Sequence, residues 1–74
     1  MKVRFFYDSL SAYVPVKIYG QTAKRGKYGP LLDSVLVRDL DHSPYINREV
    51  DWFEFRGPEM HLITSPLVTI SSEQ

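Results

Sequence analysis

The sequence predicts an all-β fold: one domain over residues 1–74, built as a small five- to six-stranded barrel with a projecting basic β-hairpin. Three observations support this prediction. Short runs rich in β-branched and aromatic residues recur between turn residues. No window combines an apolar stripe at helical spacing with capping residues. A chain of 74 residues has room for one domain only.

The first two strands are predicted from alternation over Lys2–Tyr7 and Tyr13–Tyr19. The polar segment Asp8–Ser11 between them is typical of a turn, because short polar side chains bond their own backbone. Pro15 has no amide proton to donate. We therefore expect the second strand to lie at a sheet edge or to be bulged at that point.

The third strand is predicted over Leu31–Leu40, after the polar, glycine-containing connection Gly20–Pro30. If Val16–Gly20 and Leu31–Leu40 pair, this connection is the tip of a long β-hairpin. Asp41–Pro44 then predicts a second turn.

The strand Val50–Arg56 carries large apolar groups on both faces, which is typical of a strand in a core or at a subunit contact. Gly57-Pro58 predicts a turn, and Glu59–Ser65 and Leu67–Ser71 predict the last two strands. This count fits an open barrel of the oligonucleotide-binding (OB) type, and an SH3-like barrel fits almost as well. Because small barrels expose strand edges, we expect a two-fold homodimer.

Several classes of function are disfavoured. The chain has no cysteine, so we expect no disulfide and no thiolate metal site. His42 and His61 lack metal-ligand spacing, and no nucleophile, nucleotide-binding or paired-carboxylate motif is present, so we expect no catalysis, metal or cofactor. No apolar run approaches a membrane span, and the opening residues lack the apolar stretch of a signal peptide. A cytoplasmic protein is expected, in the host cytoplasm if the chain is viral.

The net charge is zero, but the charges are unevenly distributed. Residues 1–30 carry six basic side chains and one acidic one, whereas residues 31–74 carry three basic and eight acidic ones. This asymmetry is typical of a polyanion-binding end, or of a small protein whose two sheet faces differ in charge.

The predicted hairpin tip brings together cations, tyrosines and glycines. Cations can follow phosphates and rings can stack on bases, which predicts binding of a single-stranded nucleic acid. The predicted binding residues include the tip cations Lys24, Arg25 and Lys27. They also include the rings that flank the tip, Tyr19 and Tyr28, and two residues on the same strand face as Tyr19, namely Tyr13 and Lys17. The other interpretation is a solvated turn whose charge only maintains solubility, with tyrosines packed under a loop or at a dimer contact.

The stretch Lys24–Leu40 resembles the DNA-binding wing of the single-stranded DNA-binding proteins of filamentous phages. That family has a Gly-Lys pair with a nearby Tyr at a hairpin tip, and an outgoing strand that ends in Asp-Leu. The matching positions are Gly26, Lys27, Leu31, Asp39 and Leu40, with Lys24 at a basic position. The opening Lys2-Val3 and the serine-containing turn before the second strand are also similar, so the likeness covers roughly half of the chain.

The resemblance implies an OB-type barrel, a homodimer, cooperative coating of single-stranded DNA and no catalysis. The chain departs from the family pattern at two points. Pro30 follows Tyr28, whereas the family's proline precedes its tyrosine. The aromatic residue of the outgoing strand is replaced near Val37, and Tyr45 is the candidate substitute.

The alternative function is that of a small phage or accessory protein that binds and inhibits a protein partner. The acidic residues of the second half could form one surface: Asp39, Asp41, Glu49, Asp51, Glu54 and Glu59. Trp52, Phe53 and Phe55 would then be interface anchors, because large aromatic residues dominate binding energy at interfaces. The competing interpretation places these rings in the barrel core.

Overall fold

The computed structural model describes residues 1–21 and 28–65. The elements in chain order are α1 (Val3–Ser9), β1 (Pro15–Tyr19), β2 (Leu31–Leu36), a 3₁₀ helix (Val37–His42), β3 (Glu49–Arg56) and β4 (Glu59–Ser65). Two sequence predictions, the hairpin tip over 22–27 and the strand over 67–71, lie outside the described residues.

The strands form one four-stranded mixed sheet in the order β2-β1-β4-β3. The hairpins β1–β2 and β3–β4 are antiparallel, whereas β1 and β4 are parallel. The predicted predominance of β structure and the pairing of β1 with β2 are confirmed. Strands β2 and β3 are the sheet edges, so the sheet in the described part of the chain is not closed into the predicted barrel.

The N-terminal segment is a helix, and its prediction as a strand is wrong. Val3, Phe6, Tyr7 and Leu10 follow the spacing i, i+3, i+4, i+7, which places them on one helical face. Val3 and Phe6 are buried, and Tyr7 and Leu10 pack against the same core. Lys2 supplies no side-chain cap. This segment therefore lacks the start signal that would have separated a helix from an alternating strand.

Strand β1 is central rather than at an edge, so that part of the Pro15 prediction is wrong. Pro15 is the first residue of β1 and pairs with Leu36. Proline is tolerated at this position because a sheet can begin there without its amide proton. The irregularity in the pairing lies between Ile18 and Tyr19, at the other end of the strand.

The predicted strand over 31–40 ends at Leu36, and a 3₁₀ helix follows. Val37 and Leu40 are three residues apart, so they lie on one side of this helix, where both are buried. Asp41 and His42 therefore belong to the helix, and the turn follows at residues 44–47.

The β3–β4 hairpin agrees with the sequence prediction. Arg56 pairs with Glu59 across the two-residue turn Gly57-Pro58. Gly57 has φ of 59°, which favours glycine, and glycine followed by proline suits a type II′ hairpin turn.

The sheet has an inner face that is covered by α1 and the 3₁₀ helix. The core combines residues of the sheet, both helices and the following turn: Val3, Phe6, Val16, Ile18, Val37, Leu40, Ile46, Met60 and Leu62. Alternation directs the intervening strand residues to the opposite, outer face. Neither helix in the described ranges has the length and apolar character to cross a membrane.

Candidate functional site

The outer face of the sheet carries a cluster of rings. Tyr19 on β1, Trp52 on β3 and His61 on β4 share this face because each alternates with inward-facing neighbours. The register aligns them: Tyr19 pairs with Ile63, which pairs with Trp52. Strand β1 and the β3–β4 hairpin, which are distant in the sequence, thus contribute to one surface. We call Tyr19, Trp52 and His61, together with Tyr28, the aromatic cluster.

Tyr28 reaches this face because the chain returns over the end of β1. The Gly20 amide donates to the Pro30 carbonyl at 2.8 Å. A Cβ on Gly29 would lie 2.1 Å from the Gly20 carbonyl oxygen, so only glycine permits this approach. Gly20 and Gly29 therefore hold two backbone segments together, and this contact positions Tyr28 above the sheet.

The rings of the aromatic cluster are in mutual contact around Tyr28. The Tyr28 ring centroid lies 4.5 Å from that of Tyr19, 5.7 Å from Trp52 and 5.4 Å from His61. The Arg56 guanidinium carbon lies 5.5 Å from the Tyr28 centroid, within the range of a cation–π interaction. Tyr19, Tyr28 and Trp52 are each partly exposed, so the cluster is part of the molecular surface.

A polar chain connects the same residues. The Tyr28 hydroxyl donates to Oε2 of Glu54 at 2.5 Å and lies 2.9 Å from Nδ1 of His61. Nε2 of His61 lies 3.0 Å from Oε1 of Glu59. The Tyr28 hydroxyl has one proton. If it donates that proton to Glu54, the proton in its contact with His61 must come from Nδ1 of His61. All three contacts are satisfied together when both imidazole nitrogens carry protons.

These contacts shift the pKa values of the cluster. Burial, followed by the hydrogen bond to Glu54, raises the pKa of Tyr28. The hydrogen bonds from Tyr28 and then Arg56 lower the pKa of Glu54, and the hydrogen bond to His61 lowers that of Glu59. The bond to Glu54 also raises the pKa of Arg56. The phenol is thus held neutral while both carboxylates are held charged.

Two cations border the cluster, and each is paired with a carboxylate. Nζ of Lys17 lies 3.7 Å from Oε2 of Glu59, and Nε of Arg56 donates to Oε2 of Glu54 at 3.1 Å. These side chains are partly exposed, so water and salt weaken the pairs. An anionic ligand at this surface would compete with the protein's own carboxylates for Lys17 and Arg56.

The structure brings together some of the residues predicted from the sequence and separates others. Lys17, Tyr19 and Tyr28 meet on the outer face. Tyr13 lies before β1, in the turn at 12–13, so it does not continue the strand face of Lys17 and Tyr19. It is 70% exposed, and the Arg38 guanidinium lies 5.8 Å from its ring centroid. The tip cations Lys24, Arg25 and Lys27 lie outside the described residues.

Tyr45 is the candidate substitute for the aromatic residue that is missing from the outgoing strand near Val37. Val37 is buried in the core. Tyr45 is half-buried and packs against the same core, with the Arg48 guanidinium 5.9 Å from its ring centroid. It therefore lies apart from the aromatic cluster.

Sequence reasoning missed Trp52, Glu54 and His61 as members of the site. Alternation along β3 was the available signal, because it separates Trp52, Glu54 and Arg56 from Phe53 and Phe55. It could not reveal that this face adjoins Tyr19. The sequence marks His61 only as a histidine without metal-ligand spacing, and the structure buries it at 7% exposure between the carboxylates and the rings.

The described ranges hold no group of three or more metal-ligating side chains. Comparisons of the chain with protein-family models, curated proteins and solved structures return no match. The aromatic cluster and its charged border are therefore the features from which a function has to be argued.

Proposed function

We propose that the protein binds single-stranded nucleic acid, without catalysis, through the aromatic cluster. The observation that carries this proposal is the placement of Tyr19, Tyr28 and Trp52 side by side on a sheet face that no helix of residues 1–21 and 28–65 covers, bordered by Lys17 and Arg56. Bases stack on such rings without regard to sequence, and cations bind the adjacent phosphates. The resemblance to phage proteins favours DNA as the ligand.

Binding requires an exchange of partners at the border of the cluster. Phosphate replaces Glu59 at Lys17 and Glu54 at Arg56, and both existing pairs are weak because they are exposed. Lys27 precedes Tyr28 directly in the chain, and Lys24 and Arg25 are close to it in sequence. These three cations contact phosphates of the same strand.

The geometry of Tyr28 supports the non-catalytic part of the proposal. Glu59, His61 and the Tyr28 hydroxyl form a line of carboxylate, imidazole and hydroxyl. A nucleophile in such a line needs a lowered pKa or a base that takes its proton. Here the pKa of Tyr28 is raised, and Glu54, which accepts its proton, has a lowered pKa and is a weak base, so the hydroxyl is poorly suited to attack a substrate.

The central test is a calorimetric titration with a single-stranded oligonucleotide at several salt concentrations. The logarithm of the binding constant should fall with the logarithm of salt concentration by about 0.7 per phosphate neutralised. Five contacts, from Lys17, Arg56, Lys24, Arg25 and Lys27, give a slope of roughly −3.5. Absence of binding at low salt, or binding with no salt dependence, would contradict the proposal.

Substitutions separate stacking from the hydrogen-bonded network. Tyr19→Ala should weaken binding by about 1–3 kcal/mol because it removes a stacking ring. Tyr28→Phe keeps the ring and removes the hydroxyl, so it should retain affinity, whereas Tyr28→Ala should lose it. Tyr13→Ala is the matched control, because this exposed ring lies outside the cluster. Circular dichroism at the titration temperature verifies that each variant is folded.

A further inference from the structure

An exposed apolar strip runs from α1 to strand β3. Phe5, Phe53 and Phe55 are 53%, 45% and 56% exposed. The buried Phe6 connects the strip, because its ring lies 5.4 Å from that of Phe5 and 5.0 Å from that of Phe53. Exposed aromatic groups that adjoin one another mark interaction surfaces more often than scattered ones do. This strip lies toward the inner side of the sheet, so it is distinct from the aromatic cluster.

The strip ends at strand β3, an edge with which no further strand of the described residues pairs. Arg56 and Glu59 flank a two-residue turn, so they exchange both hydrogen bonds of their pair, and bonded pairs alternate from there along the hairpin. Glu54 is therefore bonded to β4, whereas the amide and carbonyl groups of Phe53 and Phe55 point away from it. The amide of Val50 also points to this side, where Met1 accepts its proton at 2.7 Å.

We propose that a second copy of the chain pairs antiparallel with this edge, β3 against β3, about a two-fold axis opposite Phe55. A two-fold axis perpendicular to the sheet makes neighbouring strands antiparallel and keeps both inner faces on one side. The pairing extends the sheet, places Phe55 opposite Phe55 of the second copy and brings that ring diagonally beside Phe53. This dimer does not depend on the proposed nucleic-acid function.

The side chains of β3 are complementary to themselves about this axis. Phe55 lies opposite its own copy, and aromatic cross-strand pairs stabilise antiparallel sheets. Each Glu54 lies opposite the Arg56 of the second copy, so opposite charges meet twice on the outer side. Pairing farther toward the start of β3 is blocked, because Met1 and Lys2 already occupy the edge at Glu49 and Val50.

The other edge of the sheet is protected against pairing. Asp33 on β2 pairs with the buried Ile18 and so faces inward, where its carboxylate accepts the Ser43 hydroxyl proton at 2.8 Å. Charged residues directed inward discourage edge pairing in natural sheets. Leu31 is the exposed large apolar residue of β2, at 54%. The apolar strip therefore distinguishes β3 as the associating edge.

Analytical ultracentrifugation of the full chain tests this dimer. The wild-type protein should change from monomer to dimer as its concentration rises toward about 1 mM. Phe55→Lys should remove the dimer, whereas Leu31→Lys, at a similarly exposed position on the opposite edge, should retain it. A wild-type monomer over the whole range overturns the proposal, even if the monomer binds another protein through Phe55. A dimer that Leu31→Lys disrupts and Phe55→Lys preserves also overturns it.

Amide hydrogen exchange supplies a second test that needs no variant. Protection of the Phe55 amide should increase with protein concentration, because its proton bonds to the second copy only in the dimer. The Glu54 amide, bonded to β4 within one chain, should show no such dependence. Equal behaviour of the two amides in a sample that ultracentrifugation shows to be dimeric would place the dimer contact elsewhere and contradict the proposal.

Discussion

At the scale of single residues, Glu59 and Glu54 make the stability of the fold depend on pH. Hydrogen bonds to His61 and Tyr28 lower their pKa values below the usual 4.5. A carboxyl group whose pKa is lower in the folded state stabilises the fold above its unfolded pKa. That stabilisation disappears as the pH falls through the folded-state pKa. The candidate site is thus also an acid-sensitive part of the fold.

Glu59→Gln should reduce this dependence. The amide keeps an acceptor for His61 but cannot be protonated in the acid range. The melting temperature of the variant should therefore be lower at neutral pH and should fall less steeply below about pH 5 than that of the wild-type protein. Ile46→Val, a core substitution away from the network, controls for general loss of stability. Parallel melting curves for Glu59→Gln and the wild-type protein would show that the carboxylate is not linked to folding.

Single residues also show what the sequence could predict of the site. Tyr19 and Tyr28 were predicted because they flank the basic tip, and the structure places them 4.5 Å apart. Trp52 and His61 were not predicted as partners because strand order, rather than sequence distance, brings β3 and β4 beside β1. A lone histidine within an apolar strand gives no signal of the carboxylates that face it.

At the scale of elements, the base of the hairpin depends on Gly29. Gly29→Ala should destabilise the protein by about 1–3 kcal/mol, because the new Cβ would overlap the Gly20 carbonyl and neither backbone segment can move freely. It should also displace Tyr28 from the cluster and weaken oligonucleotide binding. Urea unfolding and calorimetric titration measure the two effects.

Gly20→Ala is the matched control for this substitution. A Cβ at Gly20 would lie 3.3 Å from the Pro30 ring and 3.7 Å from the Pro30 carbonyl oxygen, so a small shift of the ring can accommodate it. The expected loss of stability is therefore smaller. Equal losses for the two variants would show that the close approach at Gly29 does not position the hairpin.

The packing of helix α1 against the sheet depends on Phe6. Phe6→Ala should cost about 3–5 kcal/mol because this ring is buried against Phe53 and the core cannot fully close around the cavity. Phe5→Ala, at an exposed position of the same helix, should cost much less. Urea unfolding of both variants measures the difference, and similar costs would contradict the helical face given by Val3, Phe6 and Leu10.

Elements with local signals were predicted, and those decided by distant contacts were not. Gly57-Pro58 predicted the β3–β4 hairpin because the turn residues act locally. The apolar pattern of the N-terminal segment fits both a strand and a helix over its short length. The helix is the stable form because it buries Val3 and Phe6 against the sheet. The parallel pairing of β1 with β4 depends on contacts across more than half of the chain, for which the sequence carries no turn signal.

At the scale of the whole molecule, the fold mixes the two halves that differ in charge. Strand β1 of the basic half lies between β2 and β4 of the acidic half. Lys17 pairs with Glu59, and the N-terminal amine pairs with Glu49 at 3.2 Å. Both pairs are partly exposed, and exposed pairs contribute little to stability.

Stability should therefore depend little on salt. The melting temperature should change by only a few degrees between low salt and about 0.5 M sodium chloride, a concentration that screens exposed pairs. Thermal melts monitored by circular dichroism measure this. A large change would mean that the salt slope of oligonucleotide binding includes a contribution from folding, and the number of phosphate contacts could not be derived from it directly.

The contact of Trp52 with Tyr28 has a practical consequence. The chain contains one tryptophan, so its indole emission, excited at wavelengths that tyrosine does not absorb, arises from a single side chain at a known place on the outer face. A base that stacks there quenches this emission, whereas a molecule bound elsewhere leaves it largely unchanged. The protein thus carries its own optical probe of site occupancy, and binding can be followed without attaching a dye.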